Sequence, residues 1–509
     1  MTIAVEQWTV LEIPFPKGDS NSAIEVGAKV AFTHEQGTLQ AEAFWVDEDD
    51  IRVRISPPYV GMWTWRVMGS AGEASGRFEC ISGTSHGPVR VTDDGFHFVY
   101  ADGTPYLAFG TTVYAWNHQA HVMQEKTLRS LAASPFNKVR MCIFPKSMSY
   151  NRAEPERHAF ERRPDGGWNV HRPNPSFWEA LDDSIKHLAD LGIEADLILF
   201  HPYDRWGYST LSWDDSMAYV RHCVRRLSAH RNLWWSLANE YDMLFDRTLE
   251  EWNEAGEYIA SHDPCGHLLS IHNWLRVFDA RAAWTSHSSV QTRDVHRVSE
   301  WKEATGKPVV IDECGYEGDL EENWGHLSGR DLVHLIWNAV LDGGYASHGE
   351  TFLEDGDLIW WAKGGRLRGD SVVRIGFLRQ LVEDLGGRFE RRLQPAPRDP
   401  NGMEPAFARR IRAEFERADE SVLATMRPRL HSYEAVSANG SIIRYLGRSR
   451  QRSLDWNLPA GHFCIEIVDA WEMTKRPLIP QASGPTLVPL PSREGTALIA
   501  TPIRPKVTT

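Results

Sequence analysis

Glu240 closes the run WWSLANE and Glu313 closes the run VVIDE, so each carboxyl group follows an apolar stretch with the character of a buried strand. An acid in such a place loses hydration unless something compensates it. It can cap the next helix, pair with an arginine, or carry chemistry. Two of them together suit the hydrolysis of a glycosidic bond. That reaction needs a pair of carboxyl groups flanking the scissile bond, and its double-displacement form sets them about 5 to 5.5 Å apart so that one can attack directly.

Other residue types fit around such a pair. Arg140, in NKVRM, has the planar donors that suit a carboxylate, in a site or in an ordinary ion pair. His201, in LILFHPYD, offers ring nitrogens to sugar hydroxyls, and a structural histidine would look the same. His287, in WTSHSS, is read at the end of a strand-like segment, where a core or capping role is equally open. Tyr114, Trp116, Asn273, Trp274 and Glu350 also fall at such ends and are candidates to line a pocket. Tryptophan, at 21 residues against 11 methionines, supplies aromatic faces able to stack on a sugar ring, although most tryptophans simply pack cores.

These side chains need a scaffold that brings strand ends together. Eight apolar segments alternate with longer stretches: YLAFGTTVY, NKVRMCIF, IEADLILFH, NLWWSLANE, HLLSIHNW, WTSHSSVQ, KPVVIDECG and GGYASHGET. PSFWEALDDSIKHLADLG and TLEEWNEAGEYIASHDP carry apolar positions at helical spacing, and SVVRIGFLRQLVEDLGG reads as a closing helix. Eight strand-then-helix units predict a (β/α)8 TIM barrel, whose active site lies at the C-terminal ends of the strands. The weak point is the stretch between the fifth and sixth segments, Leu275 to Ala283, which is near the lower limit for a crossover helix.

Before the barrel, EVGAKVAFT, TLQAEAFWV, IRVRIS and GMWTWRVMG read as short strands of an N-terminal Ig-like β-sandwich, and SGTSHGP reads as a linker. FHFVYADGTPYLAFG is a hairpin turning at Asp102-Gly103. After about Pro395, SVLATMRP, SIIRYLG and HFCIEIVDAW predict a C-terminal β-sandwich domain. The expected fold class is thus α/β, a barrel with flanking β-domains, divided as residues 1–85, 88–390 and 395–509.

An Asn-Glu pair ending strand four and a Glu ending strand seven resemble clan A, the retaining (β/α)8 glycosidases, over roughly residues 88 to 390. The resemblance implies that Glu240 is the general acid/base, Glu313 the nucleophile, and Asn239 a ligand of the sugar 2-hydroxyl. It implies that Arg140 keeps the nucleophile ionised and oriented. It also draws attention to His287, because the clan often carries a His or Tyr near the nucleophile on strand six; the HxY form is absent here. The clan commonly has a Trp on strand eight, whereas ASHGETF offers His348 and Glu350. The segment ADGTPYLAFGTTVYAW and the domain order further resemble multidomain glycosidase-like proteins with apiosidase-like barrels. The implied activity is retaining glycoside hydrolysis, with no cofactor and no metal; the expected cytoplasmic setting favours oligosaccharides or small glycosides over polymer, with action at a chain end expected.

Composition narrows the alternatives. A net charge of −14 without a Lys/Arg block gives no footprint for nucleic acid. Six scattered cysteines without a CxxC pair fit reduced thiols, and the N-terminal stretch lacks the pattern of a secretory leader, so a cytoplasmic protein without membrane association is expected. Self-association into a homo-oligomer is left open. A metal hydrolase is disfavoured because His118 and His121 stand three apart with no HExxH, and neither a phosphate-binding glycine loop nor a GxSxG elbow is present. A non-catalytic carbohydrate-binding protein on a barrel scaffold remains the second reading, and the presence of both glutamates argues against it.

Overall fold

The computed structural model describes residues 3–15, 28–47, 50–68, 74–354, 359–392, 406–419, 421–422 and 433–503. At its centre is an eight-stranded parallel sheet with the strand order 5-4-3-2-1-8-7-6. The strands are Phe109–Thr112, Lys138–Cys142, Glu194–Phe200, Leu233–Ala238, Leu268–Ser270, Ser288–Gln291, Val309–Glu313 and Tyr345–His348. The third and fourth, EADLILF and LWWSLA, are buried along their whole length, as expected of parallel strands covered on both faces. A single parallel bridge between His272 and Ser289 joins strands five and six, so the barrel is nearly closed.

Helices follow most of the strands: His121–Ala132, Pro175–Asp190, Trp213–Leu227, Leu249–His262, Val298–Thr305, Gly329–Leu341 and Ser371–Asp384. Their starts are legible locally. Thr248 and Glu251 form a reciprocal capping box before Leu249, and the Ser212 hydroxyl accepts from the backbone N–H of Asp215. No helix follows strand five. The indole of Trp284 fills that place, donating to Asn253 at 2.8 Å and lying so close to Gly256 that a Cβ there would meet the ring at 2.3 Å. A short connection and one large side chain thus replace the missing helix.

The predicted hairpin is present, with Phe98–Tyr100 paired antiparallel to Pro105–Tyr106 and to Val89–Val91. Phe98 packs on Trp234 and Tyr345, so this small sheet covers the N-terminal end of the barrel. Smaller β-sheet domains flank it. On the N-terminal side a five-stranded sheet faces a three-stranded one around Val30, Phe32, Val53, Trp63 and Phe78. On the C-terminal side a six-stranded sheet accompanies a two-stranded one, with Trp456, Ile465, Val488 and Leu498 in the core. The segment SVLATMRP, expected as a strand, lies outside the described residues except for Ser421 and Val422, which are helical, and Ala406–Arg417 before it is a helix where strands were expected. Among the described residues no helix is long and apolar enough to cross a membrane.

Candidate active site

The fourth strand ends at Ala238, and the chain then turns sharply: Glu240 has φ +51° and ψ +53°, a left-handed conformation that costs a residue with a side chain roughly 1–2 kcal/mol. A conformation this unfavourable at a buried acid is a common mark of a functional position. Glu313 is the last residue of strand seven, level with Gln291 at the end of strand six. Glu240 is 5% exposed and Glu313 8%.

A continuous set of hydrogen bonds joins the two acids. Arg140 donates from Nη1 to Oε1 of Glu313 at 3.1 Å and from Nη2 to Oδ1 of Asn239 at 3.2 Å. The Asn239 amide nitrogen donates in turn to Oε2 of Glu240 at 3.2 Å. The Tyr114 hydroxyl, from the loop after strand one, is in hydrogen-bond contact with Oε1 of Glu313 and lies 3.2 Å from Asn239 Oδ1. Tyr203, from the loop after strand three, donates its hydroxyl proton to Glu240 Oε2. With its amide nitrogen facing the acid, Gln291 donates to Glu240 Oε1 at 3.2 Å.

Three cations set the charge of the site. Arg140 is fully buried, and behind it the Lys138 ammonium bridges Asp196 at 2.6 Å and Asp312 at 2.7 Å. The Lys146 ammonium lies 3.3 Å from the centre of the Tyr114 ring and 4.2 Å from that of Tyr203, a cation–π arrangement that places its charge near both glutamates. The consequence differs for the two acids. Burial and the negative charge of Glu313 raise the pKa of Glu240, against the weaker opposing pull of Lys146 and Tyr203. Burial also acts to raise that of Glu313, but His272, Arg140 and Lys146 outweigh it and hold this carboxyl well below its usual range. The two carboxyl groups are thus pushed in opposite directions, Glu240 toward its protonated form and Glu313 toward its ionised one.

Not every residue anticipated from sequence lies in this cluster. Glu240, Glu313, Asn239, Arg140 and Tyr114 are brought together, and Asn273 adjoins them by exchanging hydrogen bonds with the Gln291 backbone at 3.1 and 3.4 Å. His287 precedes strand six instead of ending it. It sits at the opposite end of the barrel between Phe98 and Trp234, where burial pushes its imidazole down to about 3. The strand was read in the right place, but the true start at Ser288 reverses which end the histidine occupies.

Trp116 is fully buried in the main core, and His201 packs its ring on Phe144 with Nε2 against the Phe144 carbonyl at 3.3 Å. Glu350 accepts from the backbone N–H groups of Arg368 and Gly369, both at 2.7 Å, and so fastens the loop before the last helix; burial raises its pKa to about 7. Trp274 is at the rim, 40% exposed, with its backbone N–H on Asp242 at 2.6 Å.

Sequence reasoning missed His272, Tyr203, Lys146, Gln291 and Trp361. His272, beyond strand five, reaches Oε1 of Glu313 at 3.4 Å, the place beside Glu313 where His287 had been expected. Trp361, in the short helix Trp360–Lys363 after strand eight, meets the Tyr114 ring edge-on at 5.5 Å. An aromatic ring from the eighth loop is therefore present, but well after the strand end where it was sought. HLLSIHNW did contain His272; the tyrosine and lysine sit in loops and the tryptophan in a four-residue helix, where no periodicity marks them.

The chain matches the family described as "Apiosidase-like, catalytic domain" over residues 92–365. Two domains of unknown function match on either side, DUF5060 over 4–69 and DUF5605 over 432–501. Among solved structures, a candidate glycoside hydrolase from Bacteroides vulgatus is 29% identical with a TM-score of 0.86, covering 99% of this chain and 100% of that one. A glycoside hydrolase family 5 protein from the same organism is 15% identical with a TM-score of 0.58, covering 82% of this chain and 93% of its own, which is a likeness of fold. No curated protein matches.

Proposed function

Because the chain belongs to the family of apiosidase-like catalytic domains, we propose that it is a retaining glycoside hydrolase in which Glu313 is the nucleophile and Glu240 the general acid/base. The observation that carries this reading is that two buried carboxyl groups, at the ends of strands four and seven, are joined through Arg140 and Asn239 in one hydrogen-bonded cluster, and the opposite directions in which their proton affinities are pushed agree with it. A carbohydrate-binding protein without catalysis would gain nothing from burying two acids together and holding one of them in a strained backbone conformation.

In the first half-reaction Glu313 attacks the anomeric carbon. The bond to the leaving oxygen breaks, and that oxygen takes its electron pair and the proton of Glu240. In the second half, Glu240 removes a proton from water as the water attacks the same carbon, and the ester to Glu313 breaks with its electrons returning to the carboxylate. Arg140 and Tyr114 hold Oε1 of the nucleophile, and Asn239, fixed between Arg140 and Glu240, is placed to meet the sugar 2-hydroxyl.

We extend the proposal to oligosaccharides or small glycosides as substrates, cleaved from a chain end. Six unpaired thiols support a cytoplasmic setting for that activity. The test is turnover of a panel of aryl glycosides, with the anomer of the first product followed by NMR. A retained configuration is expected; inversion, or no turnover across the panel, would overturn the assignment.

A further inference from the structure

At the other end of the barrel from Glu240 and Glu313, the third strand begins with an acid that no group of the chain satisfies. Glu194 is the first residue of Glu194–Phe200 and is 4% exposed, yet its Oε2 has no hydrogen-bond partner. The indole nitrogen of Trp234 acts on this carboxyl but forms no hydrogen bond with it. Burial pushes Glu194 up to about 8, against the weaker pull of Arg231 and Trp234. A buried acid left unsatisfied is costly, so a chain that keeps one has turned it toward a ligand or toward ordered water.

Glu194 lines a cavity of about 320 Å³ where several parts of the chain meet. Glu6 belongs to the N-terminal domain, residues 84–87 to the linker SGTSHGP, and Ala189 and Asp190 to the end of the helix Pro175–Asp190. Tyr100, from the hairpin, and Arg231, just before strand four, complete the walls. The volume falls in the range of roughly 300–1,000 Å³ found for small-molecule sites and is far more than one water needs.

The walls select among ligands. The Glu194 carboxyl stands near one guanidinium, that of Arg231, and near the Tyr100 hydroxyl, whose proton affinity it raises. One carboxyl and one guanidinium balance, which leaves no net charge there to choose an ion. Glu6 and Asp190, both exposed, are negative and turn anions away. Among the described residues no three His, Cys, Asp or Glu side chains gather as they would around a metal ion. A carboxyl, a guanidinium and a phenol set donors and acceptors side by side, and neighbouring hydroxyl groups, each both donor and acceptor, are what such a set satisfies. We propose that this junction is a binding site separate from the catalytic strand ends, and that it takes a neutral polyhydroxylated ligand of monosaccharide size with its hydroxyl groups on Glu194 and Arg231. The assignment does not rest on the glycosidase reading. Because the walls come from the N-terminal domain, the linker and the barrel, an occupant ties them together and raises the thermal midpoint of the whole chain.

The full chain is crystallised and soaked in turn with D-glucose, D-galactose, D-xylose and L-arabinose, and the same sugars are titrated calorimetrically in solution. Density for at least one of them in hydrogen-bond contact with Glu194 is expected. Glu194→Leu, which keeps the bulk but not the polar atoms, should weaken that sugar's binding by about tenfold or more, and Ala189→Trp, which fills the cavity from the helix end, should abolish it. Sugar bound at the catalytic strand ends would be insensitive to both variants. Where one variant does not fold the other decides, and the density depends on neither. Ordered water alone in the cavity with every sugar overturns the proposal, as does binding that the variants leave intact. Tetramethylammonium chloride is run beside the sugars; a cation seated on Glu194 where no sugar binds overturns the choice of ligand.

Discussion

Asp182 and Glu313 are both buried carboxylates held by arginine and histidine, yet they sit in opposite kinds of surroundings. Asp182, on the helix Pro175–Asp190, accepts from Arg54 of the N-terminal sandwich at 2.9 Å, from Arg226 at 2.8 Å and from His230 at 2.8 Å. Burial would raise its pKa, but His230, Arg226 and Arg54 outweigh it and hold the group far below the ordinary carboxylate range. Arg54 also donates to Glu12 at 2.5 Å, so the cluster ties the sandwich to two barrel helices. Arg226 and His230 converge on Asp182, Arg54 is shared between Asp182 and Glu12, and both of these acids are held below their usual range. At the strand ends the donors divide between two acids whose proton affinities are driven apart, and one of them bends its backbone to be there. The same residue types thus make a fastening in one place and the proposed reactive site in the other. The difference lies in whether two carboxyl groups that share a field are pulled the same way, as Asp182 and Glu12 are, or driven apart, as Glu240 and Glu313 are.

The contrast can be broken by exchanging loss of activity for loss of stability. The largest effect is expected for Glu240→Gln, which should lower kcat by roughly 10² to 10⁴-fold while the thermal midpoint holds or rises, since a buried acid is removed. Steady-state kinetics beside a melting curve check it, and an unchanged kcat would remove Glu240 from the mechanism. Asp182→Ala should do the reverse. Leaving Arg54 and Arg226 buried without their shared anion costs about 3–5 kcal/mol, read as a lower urea midpoint, with kcat of the folded protein near its original value.

The pH dependence of the fastening has a definite sign. The folded pKa of Asp182 is below its unfolded value of about 3.9, so its contribution is complete above that value and fades as pH falls beneath it. Acid melting curves of Asp182→Ala should therefore lie parallel to those of the parent protein near neutrality and converge with them in acid.

Tyr203→Phe sharpens the other side. Its hydroxyl lowers the pKa of Glu240, so its removal should carry the basic limb of the kcat/KM profile to higher pH. A limb that stays in place would separate Tyr203 from the acid. The smallest effect is expected at Glu350. With a folded pKa near 7, above the unfolded value, its presence makes stability decline as pH rises from about 4.5 to 7. Glu350→Gln should flatten that slope in pH-dependent melts and leave turnover alone.

The barrel was legible because eight apolar runs of strand length, separated by helical periodicities, leave little choice of architecture. Both key acids could be seen for a related reason: a carboxyl at the end of an otherwise apolar run stands out against the loss of hydration it implies. His287 shows the limit. Apolar character locates a strand to within a few residues, but which end a side chain occupies depends on register, and Ser288 pairs with Val309 only because the neighbouring strand offers that partner.

What the sequence alone determined is the order of strands and helices and the chemical types available at their ends, since both follow from short-range patterns of burial and turn formation. Tertiary structure decided which of those types meet. Barrel closure at the His272–Ser289 bridge brings His272 to Glu313, and the connections after the first, second, third and eighth strands deliver Tyr114, Lys146, Tyr203 and Trp361 to the same place. Those meetings join residues far apart in the chain. Their positions are set by packing and long-range hydrogen bonds that no local window of sequence contains.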